Sequence, residues 1–293
     1  MANRFSNGGI DLHTHSIKSD GTLRPDELIS AAAAKGIKTI SLTDHDTMSG
    51  VEEAYQIAEE RGINLIPGIE ISAIYPEGTL HILGYGVRVG DKKLSSKLKE
   101  YRNARNHRNS KIIALLQELG IPIEIEEVEA LAEKTVGRPH IATVLVRKKV
   151  VPDIRTAFNE YLGNNGKAFV PKEIYNVAEA IEMIIEAGGK AFIAHPVTLG
   201  MDFEAMSSYI KELKELGLEG IEVYSSSHGY EVTRDFSRIA TALDLLVSGG
   251  SDFHGDNKDN VKLGFCQSAN TRIKEEWISD YFMQKFELRV DAE

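Results

Sequence analysis

Histidines and acids stand at the ends of short apolar runs along this sequence, and this placement constrains the fold more than any other feature. Six of the nine histidines lie at or beside the end of such a run, accompanied by three acids. In barrels and open α/β sheets the carboxyl ends of the strands meet at one mouth, so residues far apart in sequence become neighbours there. The pattern therefore predicts an α/β sheet with one polar site at its mouth.

Short apolar runs alternate with helical patterns, which indicates a mostly parallel sheet with crossover helices. The runs that we expect to form strands are 10–13, 39–43, 64–72, 80–87, 190–195, 220–225 and 245–249. Between residues 91 and 168 the strand pattern gives way to helical segments at 94–119, 126–134, 139–149 and 153–162. We therefore expect one barrel domain formed by residues 1–90 and 169–293, with a helical insertion at 91–168.

The charge balance and the cysteine count exclude several classes of protein. The chain has 34 basic and 44 acidic side chains and a formal net charge of −10, which disfavours blanket electrostatic binding of long nucleic acid. Cys266 is the only cysteine, so no internal disulfide can form and a reducing compartment fits. The first residues lack the pattern of a signal peptide, and no apolar run is long enough to cross a membrane. We expect a cytoplasmic protein with no membrane segment and no obligate protein partner.

The side-chain types at the predicted mouth are those of metal ligands. His13 and His15 lie two residues apart and therefore on the same face of a strand, although two surface histidines on an edge strand would give the same pattern. Imidazoles and carboxylates without thiolates suit Mn, Zn or Fe, and nine ligands are too many for one ion. The nine candidates are His13, His15, Asp20, His45, Glu70, His81, His195, Asp252 and His254. Two or three divalent ions are expected, and hydrolysis of a phosphate ester is the natural reaction of such a site.

Seven short elements, in their order along the chain, resemble the polymerase and histidinol phosphatase (PHP) superfamily of phosphoesterases. The elements are HTH, SDG, TDHD, GIE, HIL, AHP and SDFH, beginning at residues 13, 19, 43, 68, 81, 194 and 251. The GRPHIA element at 137–142 is most similar to the branch that includes nucleoside 3',5'-bisphosphate phosphatase and a 5'-to-3' exoribonuclease. The resemblance implies a distorted (β/α)7 barrel of PHP type with a trinuclear metal site and a substrate-binding helical insertion.

The resemblance also implies how the ligands divide among three ions. The first ion would take His13, His15, Glu70 and Asp252. Glu70 would bridge to a second ion that is held by His81 and His195. The third would take Asp20, His45 and His254, and some family members carry histidine at the position of Asp20. Mn is the first expectation, with Zn and Fe as alternatives. Glu70, Asp252 and His254 are the residues expected to serve catalysis, and the leaving alcohol would take its proton from His254 or from a metal-bound water.

Two acids flank a predicted ligand. Asp44 and Asp46 stand on either side of His45, and they would orient it or remain solvated loop acids.

Substrate contacts are expected mainly in the insertion. The resemblance implies that Arg138 and His140 face the mouth and contact phosphate, and an arginine offers two parallel donors for phosphate oxygens. An arginine paired with a nearby acid and a histidine packed at a helix start are the structural alternatives. Lys172 and His228 are further candidates, against an ordinary surface lysine and a loop histidine without a role.

The expected reaction is removal of the 3'-phosphate from a nucleoside 3',5'-bisphosphate by attack of a metal-activated hydroxide. The alternative is 5'-to-3' trimming of short single-stranded RNA, which the basic stretch at 97–111 favours. There Arg102, Arg105 and Arg108 recur every third residue, but a solvated helix face has the same pattern. Histidinol phosphate hydrolysis and a non-catalytic, metal-stabilised binding module are further alternatives. The insertion disfavours the former, and the complete ligand set disfavours the latter.

Overall fold

The computed structural model describes residues 9–75, 78–131, 137–171, 175–267 and 271–286, without the side chains of 78, 79 and 104–106. The chain forms two compact units. The barrel unit comprises Met1–Ser95 and Tyr175–Glu293, and the insertion unit comprises Ser96–Ile174. Lys172 lies outside the described residues, so its predicted contact with substrate stays a prediction.

Seven strands form the sheet of the barrel unit and follow one another in chain order. They are β1 (Gly9–Thr14), β2 (Ile37–Leu42), β3 (Asn64–Tyr75), β4 (Gly78–Tyr85), β5 (Lys190–Ile193), β6 (Gly220–Ser225) and β7 (Leu246–Gly250). Backbone bonds from Asp252 N to His13 O and from His15 N to Phe253 O, each 2.9 Å, join the segment after β7 to β1. The sheet thereby closes on itself, as the sequence predicted.

Strand β4 is the exception to the parallel arrangement. It pairs antiparallel with both β3 and β5, whereas the other neighbouring strands are parallel. Two residues separate β3 from β4, far fewer than the dozen or more that a crossover between parallel strands needs. The beginning of β4 therefore lies at the same end of the barrel as the carboxyl ends of the other strands.

In the part of the barrel unit that the structure describes, five α-helices cover the strands. They are α1 (Pro25–Ala34), α2 (Val51–Arg61), α7 (Val177–Glu186), α8 (Phe203–Glu215) and α9 (Tyr230–Ala242). Local sequence explains their ends: Pro25 opens α1, Asp202 caps α8 by accepting from Ala205 N at 2.8 Å, and Gly62 ends α2 at a φ of 64°. All six residues of β1 are buried, because one face of the strand lines the barrel interior and the other is covered by helices.

The insertion unit is helical and has its own core. Its helices are α3 (Lys92–Glu118, which begins in the barrel unit), α4 (Ile125–Glu129), α5 (Arg138–Arg147) and α6 (Ile154–Ala157), followed by a π-helical turn at Phe158–Leu162. Ile112, Leu116, Ile141, Leu145 and Leu162 belong to one buried cluster. The predicted helix at 126–134 ends at Glu129, and residues 132–136 lie outside the described part of the chain.

Within the described ranges, no helix is both long and apolar enough to span a bilayer. The cytoplasmic location inferred from the sequence stays a prediction.

Candidate metal centre

The structure brings the nine predicted ligands together at one end of the barrel unit. His13 lies in β1 and His15 just after it, His45 follows β2, and Glu70 lies within β3. Asp20 stands in the loop after β1, His195 follows β5, and Asp252 and His254 follow β7. His81 lies near the beginning of β4. The antiparallel direction of β4 explains why an early residue of that strand reaches the end where its neighbours finish.

Glu70 is the centre of this cluster and has no exposed surface. Its Oε2 atom lies 3.3 Å from His13 Nε2, 3.2 Å from His15 Nε2 and 3.0 Å from His45 Nδ1. Asp252 approaches the same place, with its Oδ1 atom 3.5 Å from His13 Nε2 and 3.4 Å from His15 Nε2. These atoms form the first ligand group.

The second ligand group lies on the other oxygen of Glu70. The Oε1 atom is 3.0 Å from His81 Nδ1 and 3.1 Å from His195 Nε2, and those two nitrogens are 3.4 Å apart. One buried carboxylate therefore faces both groups, which is the geometry of a bridging ligand.

Asp20 lies at the centre of the third ligand group. Its carboxylate lies 3.2 Å from His254 Nε2, 3.7 Å from His45 Nε2 and 3.6 Å from His15 Nδ1. The Asp20 side chain is 53% exposed, whereas Glu70 is fully buried, so this group is the most open to solvent. His15 and His45 each face two groups, whereas the sequence-based assignment gave each of them to a single ion. The division of the ligands among three ions stays a prediction.

Several of these atoms are buried and have no hydrogen-bond partner among the residues that the structure describes. They are His13 Nε2, His15 Nε2, His45 Nδ1 and Glu70 Oε2. Buried polar atoms are almost always satisfied, and leaving one without a partner costs about 1–3 kcal/mol. Because the four atoms converge and belong to imidazoles and a carboxylate, divalent cations fit the site.

Burial and mutual contact shift the pKa values of the cluster in opposite directions. Burial lowers the pKa of His45 to about 3. Burial also acts to lower the pKa of His15, but the carboxylates of Asp252 and Glu70 close to its ring outweigh burial and raise that pKa to about 9. For Glu70 the surrounding histidines outweigh burial and hold its pKa well below the ordinary value. A cation at His15 would therefore displace a proton.

Glu222 in β6 is a functional candidate that sequence reasoning missed. It is fully buried, its Oε1 atom lies 2.9 Å from His13 Nδ1, and its Oε2 atom accepts a hydrogen bond of 2.7 Å from the backbone N of His195. An acid inside the apolar run at 220–225 was the available signal, since buried acids are rare unless they are paired.

Asp44 and Asp46 are buried acids that hold the backbone of the ligand loops. Asp44 accepts from Ser16 N at 2.8 Å and from the hydroxyl of Ser19 at 2.7 Å, and Asp46 accepts from Ser72 N at 3.0 Å. Each is 1% exposed, so the alternative of solvated loop acids is wrong. They fix loop backbone close to His15, His45 and Glu70.

Lys258 was also missed. Its ammonium lies 2.5 Å from Asp252 Oδ2, while Asp252 Oδ1 faces the first ligand group. The lysine side chain is 39% exposed, so its charge is accessible at the edge of the site. It follows the SDFH element in a polar loop, where nothing in the sequence distinguishes it from a surface lysine.

The insertion residues predicted to contact substrate have local partners. Arg138 donates from Nη1 to the carbonyl of Leu162 at 2.9 Å, and burial lowers the pKa of its guanidinium. His140 Nδ1 accepts from Gly137 N at 3.1 Å. Both side chains are partly exposed, and their contacts with phosphate stay predictions.

His228 is fully buried beside the end of β6. Its Nδ1 atom donates to the carbonyl of Val223 at 2.8 Å, and its Nε2 atom has no hydrogen-bond partner among the described residues. Burial lowers the pKa of His228 to about 4, so the ring is neutral near pH 7. A contact with substrate stays a prediction for this residue.

The arginine pattern of α3 does not form one exposed face. Arg102 is exposed, but Arg108 is 8% exposed and donates from Nε to the carbonyl of Val170 at 2.9 Å. The side chain of Arg105 lies outside the described residues. Arg108 therefore contributes to the packing of the insertion unit.

Comparison with known proteins identifies relatives along nearly the whole chain. A "5'-3' exoribonuclease" from Haemophilus influenzae is 38% identical over 244 residues, which cover 83% of this chain and 89% of that protein. A "3',5'-nucleoside bisphosphate phosphatase" from Chromobacterium violaceum is 33% identical over 270 residues, covering 92% and 95%. A solved structure from Bifidobacterium adolescentis, described as a metal-dependent phosphoesterase, matches with a TM-score of 0.73 and 29% identity over 98% of each chain.

The family comparison agrees with these relatives. The PHP domain family matches residues 11–187, which is more than half of the 293 residues. The match includes β1 to β4, the insertion unit and α7. Together with the barrel and its converging ligand groups, it establishes that this chain belongs to the PHP family and is a metal-dependent phosphoesterase.

Proposed function

We propose that this phosphoesterase removes the 3'-phosphate from nucleoside 3',5'-bisphosphates and that it uses two or three divalent metal ions for this reaction. Mn is the metal that we expect before Zn or Fe. The observation that carries the proposal is the shared position of Glu70 between two ligand groups, beside a third. Neighbouring cations are suited to in-line displacement at phosphorus. The bisphosphate phosphatase from C. violaceum, which aligns over 95% of its length, supports the choice of substrate.

Each ligand group would hold one ion. His13, His15, Glu70 and Asp252 would hold the first, Glu70, His81 and His195 the second, and Asp20, His45 and His254 the third. When bound, such ions activate water and neutralise charge on the phosphoryl oxygens. The chain itself supplies buried acids that keep the imidazoles in place.

Lys258 and Arg138 would bind substrate phosphate. Lys258 contacts the Oδ2 atom of Asp252, and its side chain is partly exposed. Its ammonium can therefore contact a phosphate oxygen while it keeps the contact with Asp252. Arg138 donates to the Leu162 carbonyl through Nη1, and among the described residues its other donors remain for phosphate. A phosphate with two charges gains more from such cations than a neutral group would.

Trimming of short RNA from the 5' end is the second candidate function. The exoribonuclease from H. influenzae, 38% identical to this chain, favours it. The arginine pattern of α3 does not support RNA trimming, because Arg108 is buried and donates a hydrogen bond to the Val170 carbonyl. The net charge of −10 also favours a small substrate over a longer anionic one.

A substrate panel on the Mn-loaded protein tests the proposal. We would compare adenosine 3',5'-bisphosphate, adenosine 5'-monophosphate, a 5'-phosphorylated RNA trinucleotide and histidinol phosphate by kcat/KM, and identify the cleaved ester by phosphorus NMR. The expected result is fastest turnover of the bisphosphate with release of its 3'-phosphate. Release of the 5'-phosphate, or faster turnover of the trinucleotide or of histidinol phosphate, would overturn it. Elemental analysis of the same sample should give two or three ions per chain.

A further inference from the structure

One buried carboxylate contacts a residue of the first ligand group and a residue of the second. Glu222 is fully buried and offers one oxygen to the ring of His13 and the other to the backbone of His195. Glu222 contacts His13 and His195 at atoms other than the ring nitrogens that face Glu70, namely His13 Nδ1 and the backbone N of His195. An acid buried in this way needs partners to offset its desolvation, and it has them on both sides.

The contact with His13 determines which ring nitrogen can bind a cation. Because a carboxylate accepts and does not donate, the 2.9 Å contact requires the proton of neutral His13 to be on Nδ1. The lone pair is then on Nε2, which faces Glu70 Oε2 at 3.3 Å and Asp252 Oδ1 at 3.5 Å. A histidine held by a carboxylate in this way keeps its ring orientation and is a stronger base toward a metal.

The contact with His195 fixes a strained backbone. His195 has a φ of 26°, which is unfavourable for a residue with a side chain, and Pro196 follows it. Glu222 Oε2 accepts from the N–H of this residue at 2.7 Å, and the ring then places Nε2 at 3.1 Å from Glu70 Oε1. This hydrogen bond therefore stabilises the backbone conformation that directs the His195 ring at Glu70.

We propose that Glu222 positions His13 and His195 for metal binding, so that one carboxylate controls the first two ion sites and leaves the third independent. Within the described residues, the hydrogen bonds of the Glu222 side chain go to His13 and His195 and not to Asp20, His45 or His254. The proposal rests on the metal centre of the proposed function but not on the identity of the substrate.

The test is Glu222→Gln, because glutamine keeps the shape but has only one acceptor atom. Glutamine can serve either the His13 ring or the His195 N–H, and it cannot serve both. Glu219→Gln is the matched control: it is the same chemical change three residues earlier, at a side chain that pairs with Lys190. Mn affinity would be measured from the free-Mn signal in electron paramagnetic resonance, and bound Mn per chain by elemental analysis.

We expect Glu222→Gln to bind two of its ions about 10- to 100-fold more weakly and the third with unchanged affinity. Glu219→Gln should match the wild type. Glu222→Asp, which restores two acceptors on a shorter side chain, should recover part of the loss. Circular dichroism of the metal-free proteins separates lost positioning from lost folding. If Glu222→Gln does not fold, the Mn titration of Glu222→Asp takes its place. Weaker binding of two ions with the third unchanged would then support the proposal, and unchanged binding or equal weakening of all three would overturn it.

Two results would overturn the proposal. A folded Glu222→Gln protein that binds all its ions as tightly as the wild type would show that Glu222 does not position the ligands. Equal weakening of all three ions would show a general structural role. Failure of the substrate panel would not mimic either result, because the titration measures Mn binding without any substrate.

Discussion

Replacing Lys258 by methionine removes a charge from the edge of the metal centre while keeping most of the side-chain length. In the structure the Lys258 ammonium lies 2.5 Å from Asp252 Oδ2, and Asp252 Oδ1 is directed at His13 and His15. Lys258→Met therefore tests whether the lysine serves substrate phosphate or only neutralises Asp252.

The expected effects differ in size. The ion pair is partly exposed, with the lysine side chain at 39% and the aspartate at 14%, so its loss should change the free energy of unfolding by about 0–1 kcal/mol. A charged contact with phosphate contributes about 1.5–3 kcal/mol, which corresponds to a loss of roughly 10- to 150-fold in kcat/KM. The loss of activity should therefore greatly exceed the loss of stability.

The assay is kcat/KM for adenosine 3',5'-bisphosphate at saturating Mn, together with bound Mn per chain and the melting temperature. Lys262→Met is the control, because Lys262 is an exposed lysine four residues further along the chain. Unchanged kcat/KM in Lys258→Met would refute the substrate contact. Reduced kcat/KM accompanied by lost Mn would refute it as well, since the lysine would then act through Asp252.

Glu70→Gln should lower kcat by at least roughly 10²-fold and reduce bound Mn, because it weakens the carboxylate that faces two ligand groups; full Mn occupancy would contradict this. Arg138→Ala should lower kcat/KM for the bisphosphate by roughly 10- to 150-fold and leave the Mn content unchanged. A lower melting temperature with normal kinetics would instead show that Arg138 has a structural role through its hydrogen bond to the Leu162 carbonyl. Gly250→Ala should destabilise the fold by about 1–3 kcal/mol in denaturant unfolding, since its Cβ would lie 2.2 Å from His13 Cβ and 2.4 Å from the backbone N of that residue. A fully stable Gly250→Ala protein would show that β1 and β7 can move apart.

The barrel and its nine clustered residues could be predicted because strand periodicity and side-chain type both repeat along the chain. His81 was found by its residue type, although the direction of its strand could not be derived from crossover patterns alone. Glu222 was missed because its role depends on two partners, His13 and His195, that lie far away in sequence. Lys258 and Arg108 were beyond prediction for a related reason, since whether a basic side chain is paired, buried or free is decided by tertiary contacts.

The hairpin formed by β3 and β4 makes the second ligand group sensitive to chain length. Glu70 pairs with Leu83 across the two strands, which places His81, two residues away, on the same face of the sheet. Inserting or deleting one residue between the strands would shift the pairing by one and turn His81 to the opposite face. All nine ligands would still be present in such a sequence, yet one would point away from the others. The spacing between GIE and HIL is therefore as diagnostic of an intact site as the ligands are.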